Sequence, residues 1–66
     1  MKLWVNGEEK SVDQAADVAA LVALLGLDGR KVAVERNLQI VPRSTYAQTA
    51  LAEGDRIEIV HFIGGG

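Results

Sequence analysis

The sequence contains no cysteine, one histidine and one proline. Without cysteine, neither a disulfide nor a thiolate metal site can staple the fold, and one histidine offers too few ligands for a structural zinc site. The spacings typical of a Ser-His-Asp triad, a phosphate-binding loop or a metal site are absent as well. We therefore expect no catalytic residue, no metal and no bound cofactor, and an autonomous enzyme ranks last among the function classes.

Charge of one sign and long apolar runs are also scarce. Seven Lys and Arg stand against nine Asp and Glu, which gives a formal net charge of −2, and the basic residues are scattered along the chain. Nucleic-acid-binding proteins usually cluster such residues on one face, so no nucleic acid partner is expected. The apolar run of residues 18–25 is far shorter than the roughly 20 residues that span a membrane, and nothing resembles a signal peptide. These absences predict a soluble, cytoplasmic protein without a membrane partner.

What remains is a short chain of ordinary composition. It has 66 residues, of which 48% are apolar. A domain of this size buries only about 60% of the surface that its unfolded chain exposes, so the fold must rest on a compact core. We assign residues 1–62 to one domain and residues 63–66 to a flexible C-terminal glycine tail.

A hairpin and a helix are predicted in the first half of the chain. Residues 2–5 alternate between two faces, Asn6-Gly7 is a strong signal for a two-residue turn, and residues 8–12 form the returning strand. Apolar residues between positions 18 and 25 then recur with helical spacing. Asp17 is a suitable cap for the start of this helix, and Gly26 suits the left-handed position that ends one.

Three further strands are predicted over residues 31–36, 39–41 and 56–62. Pro42 stops the second of them, because proline cannot donate to a β ladder. The third is the most apolar strand, which predicts a central position with both faces at least partly covered. The order β-β-α-β-β-β, with a right-handed crossover that favours parallel first and last strands, predicts an α+β fold. It is a mixed sheet of about five strands with one main helix on one face, the β-grasp or ubiquitin-like architecture.

Polar groups outside these elements are expected to contact water. Ser44 is expected to cap a brief helical turn, and Tyr46 is expected to have a partly buried ring with a solvated hydroxyl group. We interpret Glu8, Glu9 and Asp55 as solvated charges.

Gly64, Gly65 and Gly66 end the chain directly after the predicted central strand. One interpretation is a frayed end or a cloning scar, because a glycine run has no side chains to bury and loses much backbone entropy on ordering. The other is a slender tether, since four extended residues reach roughly 13–14 Å and glycine passes where side chains would clash. Its reactive group would then be the Gly66 carboxylate.

Several segments together resemble the ThiS family, the sulfur carrier proteins of thiamine biosynthesis. The resemblance covers essentially the whole chain, and the segments that carry it are Val32-Ala33-Val34-Glu35-Arg36-Asn37, Ile40-Val41-Pro42-Arg43-Ser44, Glu53-Gly54-Asp55-Arg56-Ile57-Glu58-Ile59-Val60 and Gly64-Gly65-Gly66. One departure is visible, because a glycine commonly follows the Glu-Arg-Asn segment in this family and Leu38 stands there instead. A branched side chain is poorly suited to a positive φ angle, so we expect a longer turn or another turn type.

The resemblance implies a chemistry at the C-terminus. Gly66 would be adenylated by an E1-like activating enzyme that uses ATP, and then converted to a thiocarboxylate with sulfur that a cysteine desulfurase supplies. The thiocarboxylate would donate sulfur to thiazole synthase for thiazole formation. Two alternatives remain: a sulfur carrier of another pathway, similar to the small subunit of molybdopterin synthase, or a β-grasp interaction module with an inert tail.

Strand parity also indicates a surface for a protein partner. Trp4, Val60 and Phe62 have the parity of the sheet face that the helix leaves open, and Ile63 follows them. An apolar cluster of this kind on a small domain is a candidate partner-binding surface. Alternatively, the loop of residues 42–52 covers these side chains.

Overall fold

The computed structural model describes residues 1–13 and 15–62. In chain order, the strands are β1 (Lys2–Val5), β2 (Glu8–Ser11), β3 (Val32–Arg36), β4 (Gln39–Val41) and β5 (Arg56–His61). An α-helix, α1 (Val18–Leu24), follows β2, and short 3₁₀ helices span Gly29–Lys31 and Arg43–Gln48. Within the described ranges, no helix is long and apolar enough to cross a membrane. The predictions for Ile63, Gly64, Gly65 and Gly66 lie outside these ranges.

The strands form one mixed sheet in the order β2-β1-β5-β3-β4. β1 and β5 are parallel, and the other neighbours are antiparallel. β5 is therefore the central strand, flanked by the β1–β2 hairpin on one side and by the β3–β4 hairpin on the other. The predicted β-grasp fold class is confirmed, including the parallel pairing of the first and last strands.

The core lies between α1 and one face of the sheet. Its largest fully buried side chains are Leu3, Leu21, Ile57, Val18, Val32 and Val34. The buried strand residues alternate with more exposed neighbours, so β1, β3 and the first part of β5 send every second side chain toward α1. Burying one such side chain is worth about 1.5–3 kcal/mol relative to leaving it in water.

The two ends of α1 follow the predicted capping chemistry. At the start, the Asp17 carboxylate accepts a hydrogen bond of 2.8 Å from the backbone N–H of Ala20. At the end, Gly26 has a φ of 75°, and the N–H of Leu27 donates to the carbonyl oxygen of Val22 over 3.1 Å. This 6→1 bond identifies a Schellman motif. The helix is thus delimited by local sequence at both ends.

Two expectations for residues 43–48 are wrong. The 3₁₀ helix there begins after Pro42 without a side-chain cap, and Ser44 lies inside it. Tyr46 is buried, with its ring against Gly29, and its hydroxyl donates to the carbonyl oxygen of Val32 over 3.2 Å. The 3₁₀ helix packs against α1 and turns the ring inward. The hydroxyl therefore has a backbone acceptor in place of water.

The expectation of a longer or different turn at Leu38 is also wrong. Arg36 pairs with Gln39, so Asn37 and Leu38 form a two-residue turn. Their φ angles are 52° and 70°, both in the left-handed region. The Leu38 side chain is 88% exposed and points into water, so the strain is confined to its own backbone. Hydrogen bonds of the Asn37 side chain to Asp55 and to the N–H of Arg56 hold the turn in place.

Replacing Leu38 should therefore stabilise the protein. A left-handed conformation costs a residue with a Cβ atom roughly 1–2 kcal/mol, of which the higher chain entropy of glycine offsets a part. We expect Leu38→Gly to raise the free energy of unfolding by about 0.5–1 kcal/mol in urea titration. Leu38→Ala is the control, because it removes the exposed apolar side chain and keeps the Cβ atom. Equal stabilisation by both variants would contradict the backbone explanation.

Candidate functional site

The face of the sheet opposite α1 carries exposed apolar side chains near the end of β5. Val60 is 60% exposed and Phe62 is 50% exposed, whereas Trp4 is half-buried. The loop of residues 42–52 therefore does not cover Val60 and Phe62. β5 is central as predicted, but the expectation that both of its faces are at least partly covered is wrong for the helix-free face, where Arg56, Glu58 and Val60 are all exposed.

The register divides the predicted partner surface into two parts. Trp4 lies beside Glu9 on β2 and beside Arg56 on β5. Val60 is four residues further along β5, roughly 13 Å away at strand spacing, and lies beside Ala33 on β3. We call Ala33, Val60 and Phe62 the exit patch, because they surround the end of the last described strand. Trp4 shares their face but not their position.

Carboxylates border the exit patch. Glu35 on β3 lies directly opposite Glu58 on β5, and Ile40 on β4 lies on the other side of Glu35 and is largely exposed. Like charges opposite each other across two strands are unfavourable. Among the described residues, neither glutamate has a cation within ion-pair distance. The part of this face around the exit patch thus combines apolar area with negative charge.

The end of β5 is held from both sides. On the β3 side, Val32 pairs with His61, and the N–H of Phe62 donates to the carbonyl oxygen of Lys31 over 2.8 Å. On the β1 side, the Asn6 side chain donates to the carbonyl oxygen of Ile59 over 3.2 Å and accepts from its N–H over 2.8 Å. The sequence interpretation missed this contact, because it assigned Asn6 only to the turn.

The start of β5 is held by a buried carboxylate. Asp55 is 6% exposed, so its interpretation as a solvated charge is wrong. Its oxygens accept hydrogen bonds from Arg36 Nε at 2.7 Å, from Asn37 Nδ2 at 3.0 Å and from the N–H of Ala52 at 2.8 Å. These three hydrogen-bond donors replace water around the Asp55 carboxylate. All three residues, Arg36, Asn37 and Asp55, belong to the segments that carry the family resemblance. That shared membership was the sequence signal that could have indicated their contact.

The environment of Asp55 favours its ionised form. Burial raises the pKa of the carboxyl group, but the hydrogen bonds from Asn37, from the Ala52 N–H and from Arg36 outweigh burial, so the pKa lies below its ordinary value. A carboxyl group of this kind contributes stability in its charged form. The contribution is complete above the unfolded-state pKa of about 4 and is lost as the pH falls through the lower pKa of the folded state.

Neutralising Asp55 should therefore destabilise the protein in a pH-dependent way. We expect Asp55→Asn to lower the free energy of unfolding by about 1.5–3 kcal/mol at pH 7, the usual range for a hydrogen-bonded charged group. The difference from the wild type should shrink as the pH falls below about 4. Urea unfolding at a series of pH values measures both effects. Asp13→Asn, at an exposed aspartate, is the control, and an equal loss in that variant would contradict the assignment.

The described residues show no metal cluster, and the depression beside β4 is small. They contain no group of three His, Cys, Asp or Glu side chains that could hold a metal ion. A shallow depression beside β4 has a volume of about 140 Å³, whereas small-molecule sites usually measure about 300–1,000 Å³. The candidate site is therefore a surface and a chain exit.

Comparison with known proteins finds similar sequences and a similar fold. The sequence model of the ThiS family matches residues 3–66. The sulfur carrier protein ThiS of Bacillus subtilis is 38% identical over 97% of this chain and 98% of its own length. A crystal structure of the thiamine biosynthesis protein ThiS from Geobacter metallireducens superposes with a TM-score of 0.85 at 35% identity, with all of both chains covered.

Longer relatives contain a similar sequence as one part. A thiazole synthase of Paramagnetospirillum magneticum is 61% identical over all 66 residues, and one of Magnetococcus marinus is 47% identical over the same length. The chain spans 20% of the length of each of these two proteins. A sequence of this kind thus occurs both as a small protein and within a longer one.

Proposed function

Because the chain belongs to the ThiS family, we propose that it is a sulfur carrier protein of thiamine biosynthesis that carries sulfur on the carboxylate of Gly66. The observation that carries this proposal is the match of the family's sequence model, which extends to Gly66 itself. The fold supports it, since the central strand β5 leads the chain out between two hairpins. Gly64 and Gly65 then serve as the tether of the reacting group.

The chemistry needs two steps, because a free carboxylate is a poor electrophile. A carboxylate oxygen of Gly66 attacks the α-phosphorus of ATP on an activating enzyme, and pyrophosphate leaves. A sulfur nucleophile at the oxidation level of sulfide then attacks the acyl carbon, and AMP leaves with the electron pair of the cleaved C–O bond. The product is a thiocarboxylate, and ATP is a substrate of the activating enzyme rather than a cofactor of this chain.

The proposed partners follow from these steps. An E1-like enzyme adenylates Gly66. A cysteine desulfurase supplies the sulfur as a persulfide, from which a thiol reductant releases sulfide with formation of a disulfide. Thiazole synthase consumes the thiocarboxylate. The two long relatives named thiazole synthase support the last partner, because each carries a sequence of this kind in one polypeptide with a much longer remainder. The chain itself acts as a protein co-substrate and not as an enzyme.

Intact mass spectrometry tests the loading of Gly66. After incubation with the activating enzyme, ATP and sulfide, we expect the mass to rise by about 16 Da, because one sulfur replaces one oxygen. Deleting Gly66, or adding a residue after it, should abolish the gain. Loading of the extended variant would contradict a mechanism at the terminal carboxylate. If neither the wild type nor a variant gains mass, the result would favour the alternative of an interaction module with an inert tail.

The exit patch is the proposed docking surface for the activating enzyme. Changing a central residue of an interface can cost about 2 kcal/mol or more, and an unpaired charge in an apolar contact adds a desolvation penalty. We therefore expect Val60→Arg to weaken binding to the activating enzyme at least about 10-fold in calorimetry.

A variant on α1 provides the control for this docking test. Leu24 is 58% exposed on the opposite side of the domain, nearly the same as Val60 at 60%. Leu24→Arg should leave the affinity unchanged, and both variants should keep the circular dichroism spectrum of the wild type. Unchanged affinity of folded Val60→Arg would exclude the exit patch as the docking surface.

A further inference from the structure

Asn6 makes a contact that its place in a turn does not require. It begins the turn between β1 and β2 and has a φ of 51°. Its side-chain Nδ2 donates to the carbonyl oxygen of Ile59, and its Oδ1 accepts from the N–H of the same residue. Its backbone N–H donates to the carbonyl oxygen of Ile57 over 2.8 Å. The primary amide of Asn6 thus presents to β5 the donor and the acceptor that a further peptide unit of β1 would present.

The sheet needs this contact because β1 is shorter than β5. β1 pairs with β5 only at Trp4 with Arg56 and at Val5 with Ile57. After Val5 the chain turns away into β2, so no strand lies on that side of Ile59. The Asn6 side chain continues the ladder by one step. Within the part of the chain that the structure describes, no other hydrogen bond joins the β1–β2 hairpin to β5 beyond Ile57.

Turn chemistry alone does not explain these two hydrogen bonds. Asparagine is common at this position because it tolerates a positive φ angle, but glycine does so equally well. A side chain that served only the turn would not bond to a residue 53 positions away. Asn37 occupies the same place in the other two-residue turn, and its side chain binds Asp55 and the N–H of Arg56 at the start of β5. The asparagines of the two turns therefore hold the central strand at two points.

We propose that Asn6 is a positioning residue for the reaction at the C-terminus. By binding Ile59, it fixes the last part of β5 against the β1 side while β3 holds the other side, so the chain leaves the sheet in one direction. This inference rests on the proposed function, because it concerns how Gly66 reaches the activating enzyme. In this role Asn6 acts only through β5, while the pairing of Val60 with Ala33 on β3 keeps the exit patch in place without it.

The test compares Asn6→Gly with Glu8→Gly in the full chain. Glycine at position 6 keeps the positive φ angle and removes both side-chain hydrogen bonds. Glycine at position 8 weakens the same hairpin through chain entropy and keeps the Asn6 contact, because Glu8 is an exposed residue of β2. Each protein is assayed for ATP-dependent loading with sulfide, by intact mass, and for hydrogen exchange at the Ile59 amide.

Loss of positioning has a distinct kinetic signature. For Asn6→Gly we expect kcat of the adenylation step to fall about 10-fold with KM unchanged, since misplacement of a reacting group lowers the rate without altering the docking contact. Exchange of the Ile59 amide should accelerate by about 10-fold. Glu8→Gly should show wild-type kcat and wild-type exchange at Ile59.

Two other outcomes would overturn the inference. If Asn6→Gly is loaded with wild-type kcat while exchange at Ile59 accelerates, the contact only stabilises the strand. If Glu8→Gly loses kcat to the same extent, general weakening of the hairpin explains the effect. Failure of the wild type to gain mass at all would instead refute the proposed function, and the positioning role would fall with it.

Discussion

The carboxylate of Asp55 is the interaction on which the rest of this small sheet depends. A charge taken out of water is costly unless hydrogen bonds replace its hydration, and here the replacements come from β3, from the turn after β3 and from the loop before β5. Satisfying one buried group therefore joins the end of β3 and its turn to the loop before β5. The start of the central strand is fixed beside β3 by this requirement.

The residues that mark the family resemblance and the residue proposed to react have different tasks. Arg36, Asn37 and Asp55 interact with one another and with the backbone at the end of the sheet where β5 begins. The chain leaves from the other end of the same strand. A group that reacts on other proteins' active sites needs no catalytic side chains around it, but it needs a rigid body behind it. The segments that carry the family resemblance stabilise that rigid body. Their presence therefore supports the carrier role, although they do not take part in the reaction.

What the sequence could predict depended on how far each residue's partners lie along the chain. The caps of α1 and the turn at Asn6-Gly7 involve neighbours, and periodicity identified every strand within a residue or so. Asp55 and Tyr46 were misjudged because their partners lie 19 and 14 positions away, where no local pattern indicates burial. Leu38 was misjudged because contacts of Asn37 dictate a conformation that leucine itself disfavours. Trp4 and Val60 were assigned to one surface because strand parity shows only that they share a face. Their separation along the sheet depends on the register between β1 and β5, which parity does not give.

The contact between Asn6 and Ile59 has a chemical consequence of its own. Asparagine followed by glycine is the sequence most prone to deamidation, because the unhindered glycine N–H attacks the side-chain carbonyl carbon. In this protein the side-chain amide at risk is engaged at both its oxygen and its nitrogen, so its rotation toward an attacking N–H would require breaking both hydrogen bonds. Deamidation would put a carboxylate oxygen where Nδ2 now donates and turn an attraction for the Ile59 carbonyl into a repulsion. We therefore expect the two hydrogen bonds that hold the strand also to slow deamidation of the residue that makes them.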